Sequence, residues 1–180
     1  MTFHKLSHRE KAEAQAKTKY AFDVRPGLGA FYRPIFLSQK LWTAVIFEGD
    51  FKDFNGQISK GLSHSAVSTA ICGDLEYEAA DWYSIDPRVD ADDVRNRYLE
   101  PSYFISDNFN NFCIVSDGDY YWAVAARNKY LKDFFAIDSF SCLEDFRVDI
   151  EPYKKSMDNH NKMIGSMLME YLEICRESIT

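Results

Sequence analysis

The chain reads as α+β: a largely antiparallel sheet, including a meander in the C-terminal half, packed with helices and ending in a long amphipathic helix. Three observations predict this. From about Met157 to Arg176, apolar Ile164, Met167, Leu168, Tyr171, Leu172 and Cys175 recur at spacings of three and four, one face of a helix. Tyr103–Ser106, Phe112–Ser116 and Tyr120–Ala126 are short apolar or aromatic runs of strand length. Asp117-Gly118 sits between the last two, the dipeptide that favours a tight hairpin turn.

The elements follow in order. Residues 5–19 are rich in Ala, Glu, Lys and Gln and predict a polar helix, ended by the Pro and glycines of residues 26–29. Ala30–Leu37 and Leu41–Glu48 predict two strands joined as a hairpin, with Pro34 confining the first to a sheet edge. Residues 62–71 fit a short helix or a strand. Leu75, Tyr77 and Ala79 alternate with Glu76, Glu78 and Ala80, which suggests a strand with one acidic face. Asp90 is placed to cap a short helix running to Leu99, with Asp92 and Asp93 where the helix dipole favours anions, and Pro101 ends it. Asn128–Ala136 and Ser139–Asp149 predict two more helices, the second capped by Ser139 or Ser141. The last helix takes Ser156 or Asp158 as cap and carries Gly165 as a weak point. Its Met157, Met163, Met167 and Met169 suit irregular core gaps or a plastic groove. No linker, repeat or low-complexity tract divides residues 1–180, so one domain is expected.

Composition narrows the function. At 180 residues, 46% apolar and 16% aromatic, the chain can bury a substantial core and is not a disordered one. A net charge of −7 and no basic stripe argue against direct nucleic-acid binding or an anionic membrane surface. No apolar run approaches the roughly 20 residues of a membrane span, and residues 1–20 lack the apolar core of a secretory signal. Cys72, Cys113, Cys142 and Cys175 stand 41, 29 and 33 residues apart, without CxxC spacing. The expectation is a cytoplasmic protein with reduced, buried thiols.

The charge is uneven. Between Asp74 and Asp119 stand twelve carboxylates and three arginines, a net of −9, against +4 for residues 1–73 and −2 for residues 120–180. Tyr77, Trp82, Tyr83, Tyr98, Tyr103, Phe104, Phe109 and Phe112 are interleaved with them. A charge run is most often a solvated face. Aromatic anchors ringed by one sign of charge are also the parts of an interface with a cationic protein: the anchors slow dissociation and the charges speed encounter. On this reading Asp81, Trp82, Tyr83, Asp86, Asp107, Asp117 and Asp119 are the expected contacts.

Motifs for chemistry are weak, and no catalytic, cofactor-binding or metal-ligating residue is assigned; the chain is expected not to be an enzyme. His64 lies among serines with no local partner that specifies a nucleophile. His4 and His8 would share a helix face, a possible metal pair without an HExxH motif. Asp90, Asp92, Asp93, Glu48 and Asp50 match no EF-hand loop. The GxG of residues 27–29 lacks a third glycine and a strong preceding strand.

The stretch from Ser106-Asp107-Asn108-Phe109 through Ser116-Asp117-Gly118-Asp119 to Tyr121-Trp122-Ala123-Val124-Ala125-Ala126, followed by Tyr130-Leu131, resembles a meander of small bacterial immunity proteins. Those are cytoplasmic antidotes to contact-dependent and related polymorphic toxins. The resemblance implies that the chain binds a cognate toxin domain, often a basic nuclease, and blocks its active site or substrate groove. Such families have many folds, so it implies neither fold nor contact residues. Three alternatives stay open: an acidic nucleic-acid mimic aimed at a DNA-binding protein, an enzyme with a metal on Asp90, Asp92 or Glu48, and an adaptor subunit.

Overall fold

Every residue of the central strands is buried, so the sheet is covered on both faces rather than on one. The structure is a computed structural model that describes residues 3–25, 29–49, 62, 67–77, 79–86, 93–94, 97, 102–117 and 120–179. Its strands are β1 (His4–Lys5), β2 (Phe22–Arg25), β3 (Gly29–Tyr32), β4 (Thr43–Glu48), β5 (Ala70–Asp74), β6 (Tyr83–Ile85), β7 (Tyr103–Ser106), β8 (Phe112–Ser116) and β9 (Tyr121–Ala126). Seven of them form one antiparallel sheet in the order β1-β6-β5-β7-β8-β9-β4, and β2 and β3 pair separately. The expected meander is β7-β8-β9. The fold is α+β with a long C-terminal helix, as the sequence predicts.

The helices are α1 (His8–Ala21), α2 (Pro34–Lys40), α3 (Asn128–Phe135), α4 (Ser139–Asp149), α5 (Glu151–Lys155) and α6 (Asn159–Glu177). Ser7 and Glu10 close a capping box on α1: Ser7 Oγ accepts from the Glu10 amide, and the Glu10 carboxylate accepts from the Ser7 amide at 2.8 Å. Asp158 caps α6 through the His160 amide. Gly165 is no weak point in this setting. A Cβ there would lie 2.9 Å from Tyr153 Cβ and 3.0 Å from the Lys154 amide nitrogen, so the missing side chain lets α5 pack on α6.

Four expectations are corrected. The run Ala30–Leu37 is not one strand of a hairpin with Leu41–Glu48. It divides into β3, paired with β2, and α2, which opens on Pro34. Proline lacks the N–H that a first helical turn leaves unpaired, and its fixed φ suits that position. The strand expected at Leu75–Ala79 ends instead at Asp74, whose Oδ1 accepts from the Glu76 and Tyr77 amides at 2.7 and 2.9 Å and turns the chain. The cap of α4 is Asp138, which accepts from the Ser141 amide at 2.8 Å, rather than Ser139 or Ser141. His4 lies in β1 while His8 opens α1, so the two share no helix face. The helix start at Asp90 and Asp92 lies outside the described residues, as does His64.

The small sheet lies against the main one. Tyr32 Oη donates to the Cys113 carbonyl of β8 at 2.6 Å, and Tyr121 Oη of β9 donates to the Ala30 carbonyl at 2.9 Å. Tyr171 of α6 packs edge-on against Phe31 and Tyr121, with ring centroids 4.6 and 5.1 Å apart. This places β2, β3, α2 and α6 around one concave region of the surface.

Candidate functional site

Among the described residues, the carboxylates of the acidic block do not gather on one surface. Asp107 is 5% exposed and spends both oxygens on its own loop: it accepts from the amides of Asn110, Asn111 and Phe112 at 3.0–3.2 Å and from Asn111 Nδ2 at 2.6 Å. Asp117, 4% exposed, accepts from the Tyr120 and Tyr121 amides at 2.8 and 3.0 Å. Asp74 does the same work at the end of β5. All three are buried and lock turns.

The remaining expected contacts divide. Trp82 is 3% exposed, set edge-on against Phe104 at 5.1 Å, and a Cβ on Gly73 would come within 2.5 Å of its indole. Tyr83 is buried between Phe3 and Arg97, whose guanidinium lies 4.1 Å from the ring centroid. Neither is a surface anchor in the folded chain. Asp81 is exposed and paired with Lys5 at 2.7 Å, and Lys5 holds its carboxyl below the ordinary range. Asp86 is exposed, and Asp119 lies outside the described residues.

The concave surface lies elsewhere, as a furrow of three adjoining chambers. The middle one, about 800 Å³, is walled by β2 and β3, the start of α2, and α6. It shares Asp23 and Arg33 with a chamber of about 460 Å³ that reaches Trp82, Asp74 and Glu76. It shares Pro34, Ile174 and Glu177 with one of about 470 Å³ that reaches Leu41 and Trp42. Such volumes suit a ligand or the anchors of a partner chain.

Helical geometry places the acids. The apolar stripe of α6 buries Leu168, Tyr171, Leu172 and Cys175, which leaves Glu170, Glu173 and Glu177 exposed along one edge of the same helix. Ile174 lies between them, half-buried, on the floor of the furrow. In the middle chamber Asp23, Glu170, Glu173 and Glu177 oppose Arg25 and Arg33, a net of two negative charges. Arg25 bridges Glu170 with both terminal nitrogens, at 2.8 and 2.7 Å, and reaches Asp23 at 3.1 Å. Its guanidinium lies 4.7 Å from the centroid of Phe31. The hydrogen bonds that Arg25 donates to Glu170 lower the pKa of the carboxyl and raise that of the guanidinium. Arg33 Nε donates to the Phe22 carbonyl at 2.7 Å. Exposed Ile35 and Leu41 supply apolar surface along the same furrow.

Among the described residues no group of three His, Cys, Asp or Glu side chains is arranged to hold a metal ion. None of the four cysteines is in a disulfide; burial raises the thiols of Cys113 and Cys175 and pushes that of Cys142 up to about 11, which keeps these three in the poorly nucleophilic protonated form. Of the expected contacts, Trp82 alone among the described residues lines the furrow. The sequence reading missed Glu170, Glu173 and Glu177. Their spacing of three and four beside the apolar stripe was the signal that marks them as one charged edge.

No family model matches the chain, and neither a curated protein nor a solved structure matches it. Among the described residues no helix is long and apolar enough to cross a membrane.

Proposed function

We propose that this chain is an immunity protein that binds and neutralises a cognate toxin domain, a cationic nuclease, in the cytoplasm. The observation that carries the reading is the furrow: four carboxylates against two guanidiniums around an apolar floor of Phe31, Pro34, Ile35 and Ile174. A nuclease presents Lys and Arg to hold phosphates, and those cations meet the carboxylates of Asp23, Glu170, Glu173 and Glu177. Complementary charge speeds the encounter, and the apolar floor slows release. The resemblance of residues 106–131 to immunity-protein meanders supports the same class. The nucleic-acid-mimic alternative has less to rest on, because Asp107 and Asp117 turn inward and are lost from the row of charges it needs.

The test is co-expression. The C-terminal domain of the protein encoded beside this one is expressed in bacteria alone, with the wild-type chain, and with the Glu170→Lys/Glu173→Lys/Glu177→Lys variant. Growth arrest by the domain alone, rescue by the wild type and loss of rescue by a folded variant is the expected result. A harmless neighbour, or one that kills in the presence of the wild-type chain, overturns the reading. Rescue by the triple variant moves the contact away from the furrow.

A further inference from the structure

We infer that the middle chamber is a guanidinium cradle: Asp23, Glu170 and Phe31 form the site for an arginine of a cationic protein partner, and the chain's own Arg25 fills it until that arginine arrives. The identity of the partner rests on the toxin-binding reading above; the cradle itself rests on geometry. Glu170 presents both oxygens to one planar fork, at 2.8 and 2.7 Å, and Asp23 takes a third nitrogen at 3.1 Å. This is bidentate recognition, which a guanidinium satisfies and an ammonium does not. Phe31 adds a ring face 4.7 Å from the guanidinium carbon, an attraction that favours the flat, weakly hydrated arginine head.

Two observations turn this from an internal ion pair into a docking site. The first is looseness. The side chains of Arg25, Asp23 and Glu170 are 33%, 48% and 52% exposed, and ion pairs this open to water contribute little and exchange readily. The second is surplus charge. With both Arg25 and Arg33 counted, the four carboxylates that line the chamber still leave it net negative, with Glu173, which Arg176 also reaches at 3.6 Å, and Glu177 on the same edge of α6. A second cation is therefore attracted to a chamber that already holds one. The volume, about 800 Å³, has room for an arginine with part of its flanking chain. Exposed Ile35, with Pro34 and Ile174, offers a shelf for an apolar neighbour of that arginine.

The experiment uses the full chain and labelled hexa-arginine and hexa-lysine peptides, read by fluorescence anisotropy at low salt. Removing the plug in Arg25→Ala is expected to tighten hexa-arginine binding by roughly threefold to tenfold, with a smaller gain for hexa-lysine. Arg25→Ala/Glu170→Gln is expected to cancel the gain. Arg9→Ala makes the same charge change on α1, away from every chamber of the furrow, and is expected to leave binding nearly unchanged. Equal gains in Arg25→Ala and Arg9→Ala, or equal gains for the two peptides, reduce the effect to net charge and overturn the cradle. Arg25→Lys keeps the charge but loses the fork. It is expected to tighten hexa-arginine as well, and it decides the matter if Arg25→Ala does not fold. Because no toxin enters this experiment, failure of the cradle and failure of the toxin-binding reading are separately visible.

Discussion

Single carboxylates show how little a charge count says about direction. Asp107 and Asp117 each follow a serine at the end of a strand, and each folds its oxygens back onto the amides of the turn it opens. Asp107 is held by four donors on three residues, beside Asn108 and Phe109 in the left-handed region at φ 62° and 61°. Asp107→Ala removes the acceptor from several part-buried amides at once and is expected to cost about 3 kcal/mol, measured as the free energy of urea unfolding. Asp107→Asn keeps one carbonyl acceptor and is expected to lose less. Asp81→Ala, which removes an exposed carboxylate paired with Lys5 at the surface, is expected to change little. Equal losses at positions 107 and 81 would return Asp107 to the set of simple surface charges. The signal was present in the sequence. Asp-Asn and Asp-Gly after a strand are turn chemistry, and turn aspartates accept amides from their own backbone. Net charge over a window counts such residues as surface, whereas Asp107 and Asp117 are buried.

At the scale of elements, periodicity was legible where the sequence had only one way to satisfy it. The stripe of α6 has a helical spacing, and β7, β8 and β9 are too short and too evenly separated to be helices. The expectation of a strand over Ala30–Leu37 fails because an apolar run broken at Arg33 fits a buried strand or a buried helix, and Pro34 is compatible with a sheet edge as well as with a first helical turn. Tertiary context decided it: Phe36 and Leu37 are buried from a helix, with Phe36 against Trp42 and Phe109. The furrow was illegible for the same reason, since its walls come from β2, α2 and α6, which only the fold brings together. The end of α2 carries a further consequence. Leu41 sits at φ 54° and ψ 45° and is 81% exposed, a left-handed conformation that costs a Cβ-bearing residue energy with little burial in return. Leu41→Gly is expected to stabilise the fold by roughly 1 kcal/mol, read as a higher urea midpoint. Since Leu41 lines the third chamber, the same variant is expected to bind a furrow partner less tightly. A destabilised Leu41→Gly would mean that its side chain contributes more packing than its exposure indicates.

At the scale of the molecule, the layers are joined by tyrosines, which makes stability respond to alkaline pH. Tyr32, Tyr121 and Tyr171 are fully buried where β3, the main sheet and α6 meet. Tyr32 and Tyr121 donate their phenolic protons to carbonyls, and Tyr171 Oη accepts from the Tyr32 amide at 3.4 Å. Burial raises all three well above their ordinary values. An unfolded tyrosine loses its proton near about pH 10, while the folded chain still holds it, so over that range the native state binds more protons. Stability from these groups is therefore complete below about pH 10 and is lost as pH rises toward the raised folded values. The acid side has the opposite sign. Glu10, Asp81, Asp138, Glu151 and Glu170 are lowered in the fold, mainly by hydrogen bonds to their partners. What they contribute is present above the ordinary carboxylate range and is lost as pH falls through the lowered values. Four of the five are exposed and Glu151 is half-buried, so water screens them and the acid arm is the shallower of the two. Urea midpoints taken from about pH 5 to about pH 11.5 are expected to stay level and then drop on the alkaline side. Tyr171→Phe is expected to lose about 1 kcal/mol at neutral pH, with the Tyr32 amide left without its acceptor. It is also expected to show a smaller alkaline drop, because one of the three protons is gone. An alkaline drop of unchanged size in Tyr171→Phe would place the titration elsewhere, and the tyrosine junction would then hold the layers by packing alone.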